Sequence, residues 1–130
     1  MTKINFLDLG RQPITNNFLN DPKPHNEFFY DLRVMFNEDS NLVSLENFVP
    51  PEKMFNDTYA HRASMSLTML SSNKILSKDI EKKFNPESIL EIGSNDGIFL
   101  KNFHNIKKKI GVEPCSNLAL ITNSLGIDTY

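Results

Sequence analysis

The stretch that decides the reading is Ser88-Ile89-Leu90-Glu91-Ile92-Gly93-Ser94-Asn95-Asp96-Gly97. Five residues, mostly apolar, read as a short buried strand, and a tight loop bounded by two glycines follows. Ile98 to Phe103 then looks helical, with Phe99 and Phe103 on one face. Lys109-Ile110-Gly111-Val112-Glu113 reads as a second strand, and Asn117 to Leu125 as a second helix that Gly126 ends in the left-handed conformation. Ile127 to Tyr130 begins a third strand. Strand, glycine loop, helix, strand, helix is the opening of a parallel α/β fold.

The loop suits a nucleoside. A glycine at position 93 can take backbone angles closed to other residues and leaves bare backbone for a ligand to approach. Gly97 permits close packing of helix on strand. The start of a helix would offer free N–H groups. Glu113 stands at the tip of the second strand, 22 residues after Glu91. An acid at about that spacing is placed to accept hydrogen bonds from ribose hydroxyls. The pattern is E-x-G-x-x-x-G and differs from the dinucleotide fingerprint G-x-G-x-x-G. An acid on the first strand suits a cation that carries an amino group and a sulfonium better than it suits a pyrophosphate. The charge pattern therefore favours S-adenosylmethionine over NAD.

Upstream the chain divides by composition. Five of its seven prolines lie in the first 51 residues, and four of its five glycines lie in the last third. Residues 1–60 read as irregular. Leu9 to Pro13 reads as a turn and Asp21-Pro22-Lys23-Pro24 as a loop. Phe29 to Phe36 alternates as a half-buried strand, Asn37 to Asn41 is a polar turn, and Leu42 to Leu45 is a partner strand. Pro50-Pro51 is expected to block any continuing strand or helix. Residues 62–84 read as a helix on the spacing of Met65, Met69, Leu76, Ile80 and Phe84. Asp79 and Lys83 can pair within it, Ser71-Ser72-Asn73 marks a weak point, and Asn85-Pro86 ends it. Its methionines are read as core.

Composition bounds the rest. The 130 residues are 39% hydrophobic and 23% charged, with net charge −2 and a pI near 5.9. That argues against broad electrostatic binding to nucleic acid or an anionic membrane. No apolar run approaches a membrane span and no signal-peptide core opens the chain, so a cytoplasmic protein is expected. The lone cysteine, Cys115, excludes an internal disulfide. It precedes a helix, a position that can lower a thiol pKa, but no neighbouring histidine makes a nucleophilic pair. His25 reads as an exposed loop residue, His104 as a cation near a helix end, and Lys107-Lys108-Lys109 as a solvated loop.

Ile89 to Gly97, followed by Gly111-Val112-Glu113-Pro114, resembles the cofactor motifs of the sugar C-methyltransferase family. Those enzymes use S-adenosylmethionine to methylate a carbon of a nucleotide-linked keto-deoxysugar. Leu9-Gly10-Arg11-Gln12-Pro13-Ile14-Thr15-Asn16-Asn17-Phe18-Leu19 is similar to an upstream segment of that family. Tyr59-Ala60-His61-Arg62-Ala63-Ser64-Met65-Ser66 is similar to another. The resemblance implies that Glu91, Gly93, Ser94, Asn95, Asp96 and Gly97 line the methionine end of the cofactor. It implies that Glu113 holds the ribose and that Pro114 lies near the adenine. Tyr59, or His61 where the family often has a second tyrosine, would reach toward the sugar as the catalytic candidate.

The implied architecture is a small domain over 1–61, a linking helix over 62–84 and a Rossmann-like cofactor domain from residue 85. Family members usually carry an amino-terminal zinc domain with two C-x-x-C pairs. The first pair would precede Met1, and the second falls on Asn37 and Ser40, which are poor zinc ligands. No structural zinc is therefore expected. Only 43 residues follow Glu87, so the sequence is expected to hold the opening units of a seven-stranded fold. Such a truncated or split form would be inactive unless a second polypeptide completes it. Phe18, Phe28, Phe48 and Phe55 are expected to leave apolar patches. Two other readings stay open: a non-catalytic interaction module built on residues 1–60, and an NAD-dependent nucleotide-binding protein.

Overall fold

The computed structural model describes residues 3–20 and 27–130. The loop read at Asp21 to Pro24 and the solvent-exposed His25 lie outside the described residues. The protein is mixed α/β, with one antiparallel and one parallel three-stranded sheet. It divides into two compact units, Met1–Met54 and Phe55–Tyr130.

The first unit holds β1 (Lys3–Pro13), β2 (Phe29–Asn37) and β3 (Leu42–Leu45), paired in that order and antiparallel. The strand and partner strand read from the sequence are β2 and β3. Between them Asn37 Oδ1 accepts the backbone N–H of Asp39 at 2.9 Å and of Ser40 at 3.2 Å, an Asx turn. β1 corrects the reading of residues 1–60 as irregular. Its register shifts twice, between Asn5 and Leu7 and between Asp8 and Arg11, so its apolar residues do not alternate. The turn read at Leu9 to Pro13 is the second shift, where Gly10 takes φ +69° inside the strand. Arg33 on β2 bridges Asp8 at 3.1 Å and Glu46 at 3.3 Å. Ile14, Met35 and Val49 are buried, while Phe6, Phe18 and Phe48 are exposed. Pro51 does not block a helix: it opens α1 (Pro51–Met54), where its missing N–H costs nothing.

The second unit begins with an irregular segment, a 3₁₀ turn at Ala63–Met65 and α2 (Leu67–Phe84). Ser66 caps α2 by accepting the N–H of Met69. The helix runs unbroken through Ser71-Ser72-Asn73, and Asn85 ends it in the left-handed region at φ 44°. Asp79 and Lys83 form no ion pair; the pairs among the described residues are those of Arg33. The methionines are not core, since Met65 is 80% and Met69 is 44% exposed. The covered stripe instead runs through Leu70, Asn73, Ser77 and Ile80, with Ser77 fully buried at its centre.

β4 (Ser88–Ile92), β5 (Lys108–Val112) and β6 (Asp128–Thr129) form the parallel sheet in chain order. α3 (Ser116–Ser124) crosses from β5 to β6. The core of this unit collects Leu100, Phe103, Cys115, Leu118 and Ile127, all at 0–1% exposure. On the sheet itself Ile89 and Glu91 are half-buried, whereas Leu90 and Ile92 are exposed. No helix among the described residues is long and apolar enough to cross a membrane.

Candidate functional site

β4 and β5 are parallel, so their carboxyl ends lie side by side, the place where open α/β sheets bind ligands. Glu91 pairs with Gly111 and Ile92 with Val112. Beyond the strands the two loops are tied together. Gly93 and Ser94 both donate backbone N–H to the carbonyl of Val112, at 2.8 and 3.2 Å. Glu113 accepts the N–H of Asn95 at 2.7 Å through one oxygen and the N–H of Cys115 at 2.9 Å through the other.

A cleft of about 370 Å³ opens here, lined by Phe55, Tyr59, Ile92, Gly93, Asn95, Val112, Glu113 and Pro114. That volume falls in the roughly 300–1,000 Å³ range of small-molecule sites. A larger groove of about 630 Å³ runs along α2, but only Leu76 to Phe84 of that one helix line it. One helix alone lines it, whereas the ends of two parallel strands meet Phe55 and Tyr59 at the strand-end cleft, which is the candidate.

Each residue singled out from the sequence has a definite place. Gly93, Asn95, Glu113, Pro114 and Tyr59 line the cleft together. Gly93 sits at φ +77° with open space where a side chain would stand. Gly97 does pack closely, since a Cβ there would fall 2.9 Å from Thr122 on α3. Ser94 and Asp96 do not line the cleft. Ser94 is buried over Gly111, where a Cβ would fall 2.6 Å from its hydroxyl. Asp96 is buried and accepts the N–H of Ser64 at 3.2 Å. His61 is exposed outside the lining, with its ring edge-on to Tyr59 at 6.4 Å.

The loop does not enter an α-helix as the sequence suggests. Residues 95–99 form turns, and a single 3₁₀ turn, Leu100–Asn102, follows. The rings of Phe99 and Phe103 still meet, 5.0 Å apart, but no α-helix dipole points at a ligand from this loop.

The charge pattern is acidic. Burial, followed by the charge of Glu113, pushes the Glu91 carboxyl up to about 7. Glu91 Oε2, Asp96 Oδ1 and Ser94 Oγ are buried without partners. Such orphan acceptors are costly unless a donor arrives. Burial also pushes the Cys115 thiol up to about 11, with Glu113 adding to the effect. The lowered pKa its position suggested is thus reversed, and Cys115 is a buried packing residue.

Sequence reasoning missed Phe55, Ile92 and Val112 as lining residues. Ile92 and Val112 end their strands, and that position could have flagged them. Nothing in the sequence marks Thr122, whose hydroxyl donates to the carbonyl of Asn95 at 3.0 Å. Nor does it mark Asn117, whose amide donates to the carbonyl of Tyr59 at 2.9 Å.

Residues 1–55 match the model of a methyltransferase-associated family described as "Putative zinc binding domain". No curated protein matches the chain. The family match overturns the expectation of no structural zinc, because the matched segment is similar to a domain described as binding that metal. The described residues do not fit the metal: no three of their His, Cys, Asp and Glu side chains gather into a group that could hold one. Asn37 spends its side-chain oxygen on its own turn.

Proposed function

We propose that the strand-end cleft of residues 55–130 binds S-adenosylmethionine, in a Rossmann-like arrangement, and that the chain serves methyl transfer to a nucleotide-linked keto-deoxysugar. One observation carries the reading: Glu113, at the end of β5, closes a cleft against Gly93, whose open face leaves bare backbone for a nucleoside. The acids decide between cofactors. A pyrophosphate would approach Glu113 against its charge, whereas a sulfonium with an α-amino group approaches with it. Glu113 is the acid that lines the cleft, and Glu91 stands two residues before Gly93 on the first strand.

Bound S-adenosylmethionine would supply an electrophilic methyl group. The chain's own residues do the rest. Gly93 admits the nucleoside to the backbone. Glu113 keeps acceptor capacity beyond its two backbone bonds for ribose hydroxyls. Phe55, Tyr59 and Pro114 offer apolar walls to a flat base. Tyr59 is the side chain best placed to face an acceptor, ahead of His61, which stands outside the lining.

Calorimetric titration with S-adenosylmethionine and with NAD tests this. Binding of S-adenosylmethionine and not NAD supports the reading, and binding of NAD alone overturns it. Binding of neither by a folded protein favours the second reading, an interaction module. That alternative draws on exposed Phe6, Phe18 and Phe48 in the first unit.

A further inference from the structure

We propose that Asn95 and Asn117 are positioning residues: their side chains hold the backbone of residues 59–63, the segment that carries the cleft residue Tyr59. The loop that would seat the cofactor thereby holds the segment next to Tyr59, and α3 holds Tyr59 itself. What the segment serves rests on the methyltransferase reading; how it is held does not.

Residues 59–62 belong to no helix or strand. The local backbone bonds are Tyr59 N–H to Asn56, Met65 N–H to Arg62 and Ser66 N–H to Ala63. The carbonyls of Tyr59 and His61 and the N–H groups of Ala63 and Ser64 are satisfied from elsewhere. Asn117 donates to Tyr59 O at 2.9 Å, and Asn95 donates to His61 O at 3.3 Å. Asn95 Oδ1 accepts from Ala63 at 2.8 Å, and Asp96 Oδ2 accepts from Ser64 at 3.2 Å. Four side-chain bonds thus hold residues 59–64, the last two of which open the 3₁₀ turn.

Asn95 is the hub. Its N–H goes to Glu113, its carbonyl takes the Thr122 hydroxyl, and both ends of its side-chain amide go to the 61–63 segment. It stands at φ 49°, a conformation asparagine tolerates better than most residues. Each of these groups has a protein partner, with one amide hydrogen left over. Asn95 thereby joins Glu113 to the segment that follows Tyr59. Asn117 uses its amide donor on Tyr59, and its Oδ1 is buried without a partner. Its orientation is set by this segment, at the cost of an orphaned acceptor.

The test uses the full chain. Asn95→Gly removes the side chain and keeps the positive φ without strain. Asn117→Asp keeps the shape and loses the donor. In Asn95→Gly, exchange of the Ala63 amide should quicken by about tenfold, the order expected for one lost hydrogen bond, while the α2 amide of Leu70 is unchanged. Asn95→Asp, which keeps an acceptor for Ala63, should restore most of that protection. Asn117→Asp should leave Ala63 exchange alone and weaken S-adenosylmethionine binding by about fivefold or more. A folded Asn95→Gly protein with wild-type exchange at Ala63 overturns the proposal, as does wild-type affinity in Asn117→Asp. Should the wild type bind no S-adenosylmethionine, the cofactor reading falls and the exchange experiment alone decides how the segment is held.

Discussion

Glu113 accepts the backbone N–H of Asn95 across 18 residues of chain, at 2.7 Å, and so locks the loop after β4 to the end of β5. The acid is 8% exposed. Removing it strands two backbone donors, those of Asn95 and Cys115. Glu113→Ala should cost about 3 kcal/mol, in the range for charge-assisted bonds at a buried site, and Glu113→Gln about half of that. Urea unfolding midpoints measure both. An alanine variant as stable as the wild type would show that the lock contributes nothing.

Glu91 makes stability depend on pH. Its carboxyl titrates near 7 in the folded chain, against an ordinary value of 4.5. A raised acid pKa means the folded state holds the proton more tightly than the unfolded one. The associated stability is complete below pH 4.5 and is lost as pH climbs to 7. After discounting for solvent near a half-buried group, the wild type should lose about 1 kcal/mol between those limits that Glu91→Gln does not lose. Denaturation of both proteins at pH 5 and 7.5 checks the difference. Affinity for a cationic ligand should move the opposite way, rising through neutrality in the wild type and staying flat in the variant.

Close approach distinguishes the glycines by cost. A Cβ on Gly111 would meet Ser94 Oγ at 2.6 Å and Thr129 Oγ1 at 2.8 Å, both well inside contact. Gly111→Ala should therefore destabilise by about 2–3 kcal/mol through overpacking. Gly126 has φ +74° and open space, so Gly126→Ala should cost only about 1 kcal/mol of backbone strain. Thermal unfolding ranks the pair, and equal costs would refute the packing argument.

Leu90 is 56% and Ile92 81% exposed, and they are in register with Ile110 and Val112. Paired residues of parallel strands share a face, so this side of the sheet presents apolar surface to water. Light scattering should show mass rising with concentration, and Leu90→Lys should suppress the rise. A wild-type protein that stays monomeric throughout would exclude association through this face.

How much of this was legible depended on whether sequence spacing and spatial neighbours agreed. β2 and β3 alternate cleanly around an Asx turn, so both strands could be read. β1 could not, because two register shifts break the alternation that reveals a strand. α2 was read with nearly correct ends, since Asn85-Pro86 stops a helix by local chemistry. Its buried face was read wrongly, because Ser77 is at the centre of the covered stripe and exposed methionines mimic a core spacing. The supposed helix at Ile98 to Phe103 failed for a tertiary reason. Asn95 and Asp96 are bonded to residues 61–64 and Gly97 holds φ +74°, so the entry to the segment is fixed from outside it, and only the 3₁₀ turn Leu100–Asn102 forms. At the cleft, the glycines and Glu113 were readable from spacing. Phe55 and Asn117 were not, and Tyr59 and Asn95 were marked only by the family resemblance, since these pairings join residues 32–58 positions apart.

The parallel strands lie in the order in which they are synthesised. Each pairs with the one made about 20 residues before it, so no strand must wait for a distant partner and no loop must close across the sheet. As the chain leaves a ribosome, β4 can serve as the template for β5, and β5 for β6. Assembly then advances in one direction, and the Glu113 lock closes as soon as the second strand has emerged.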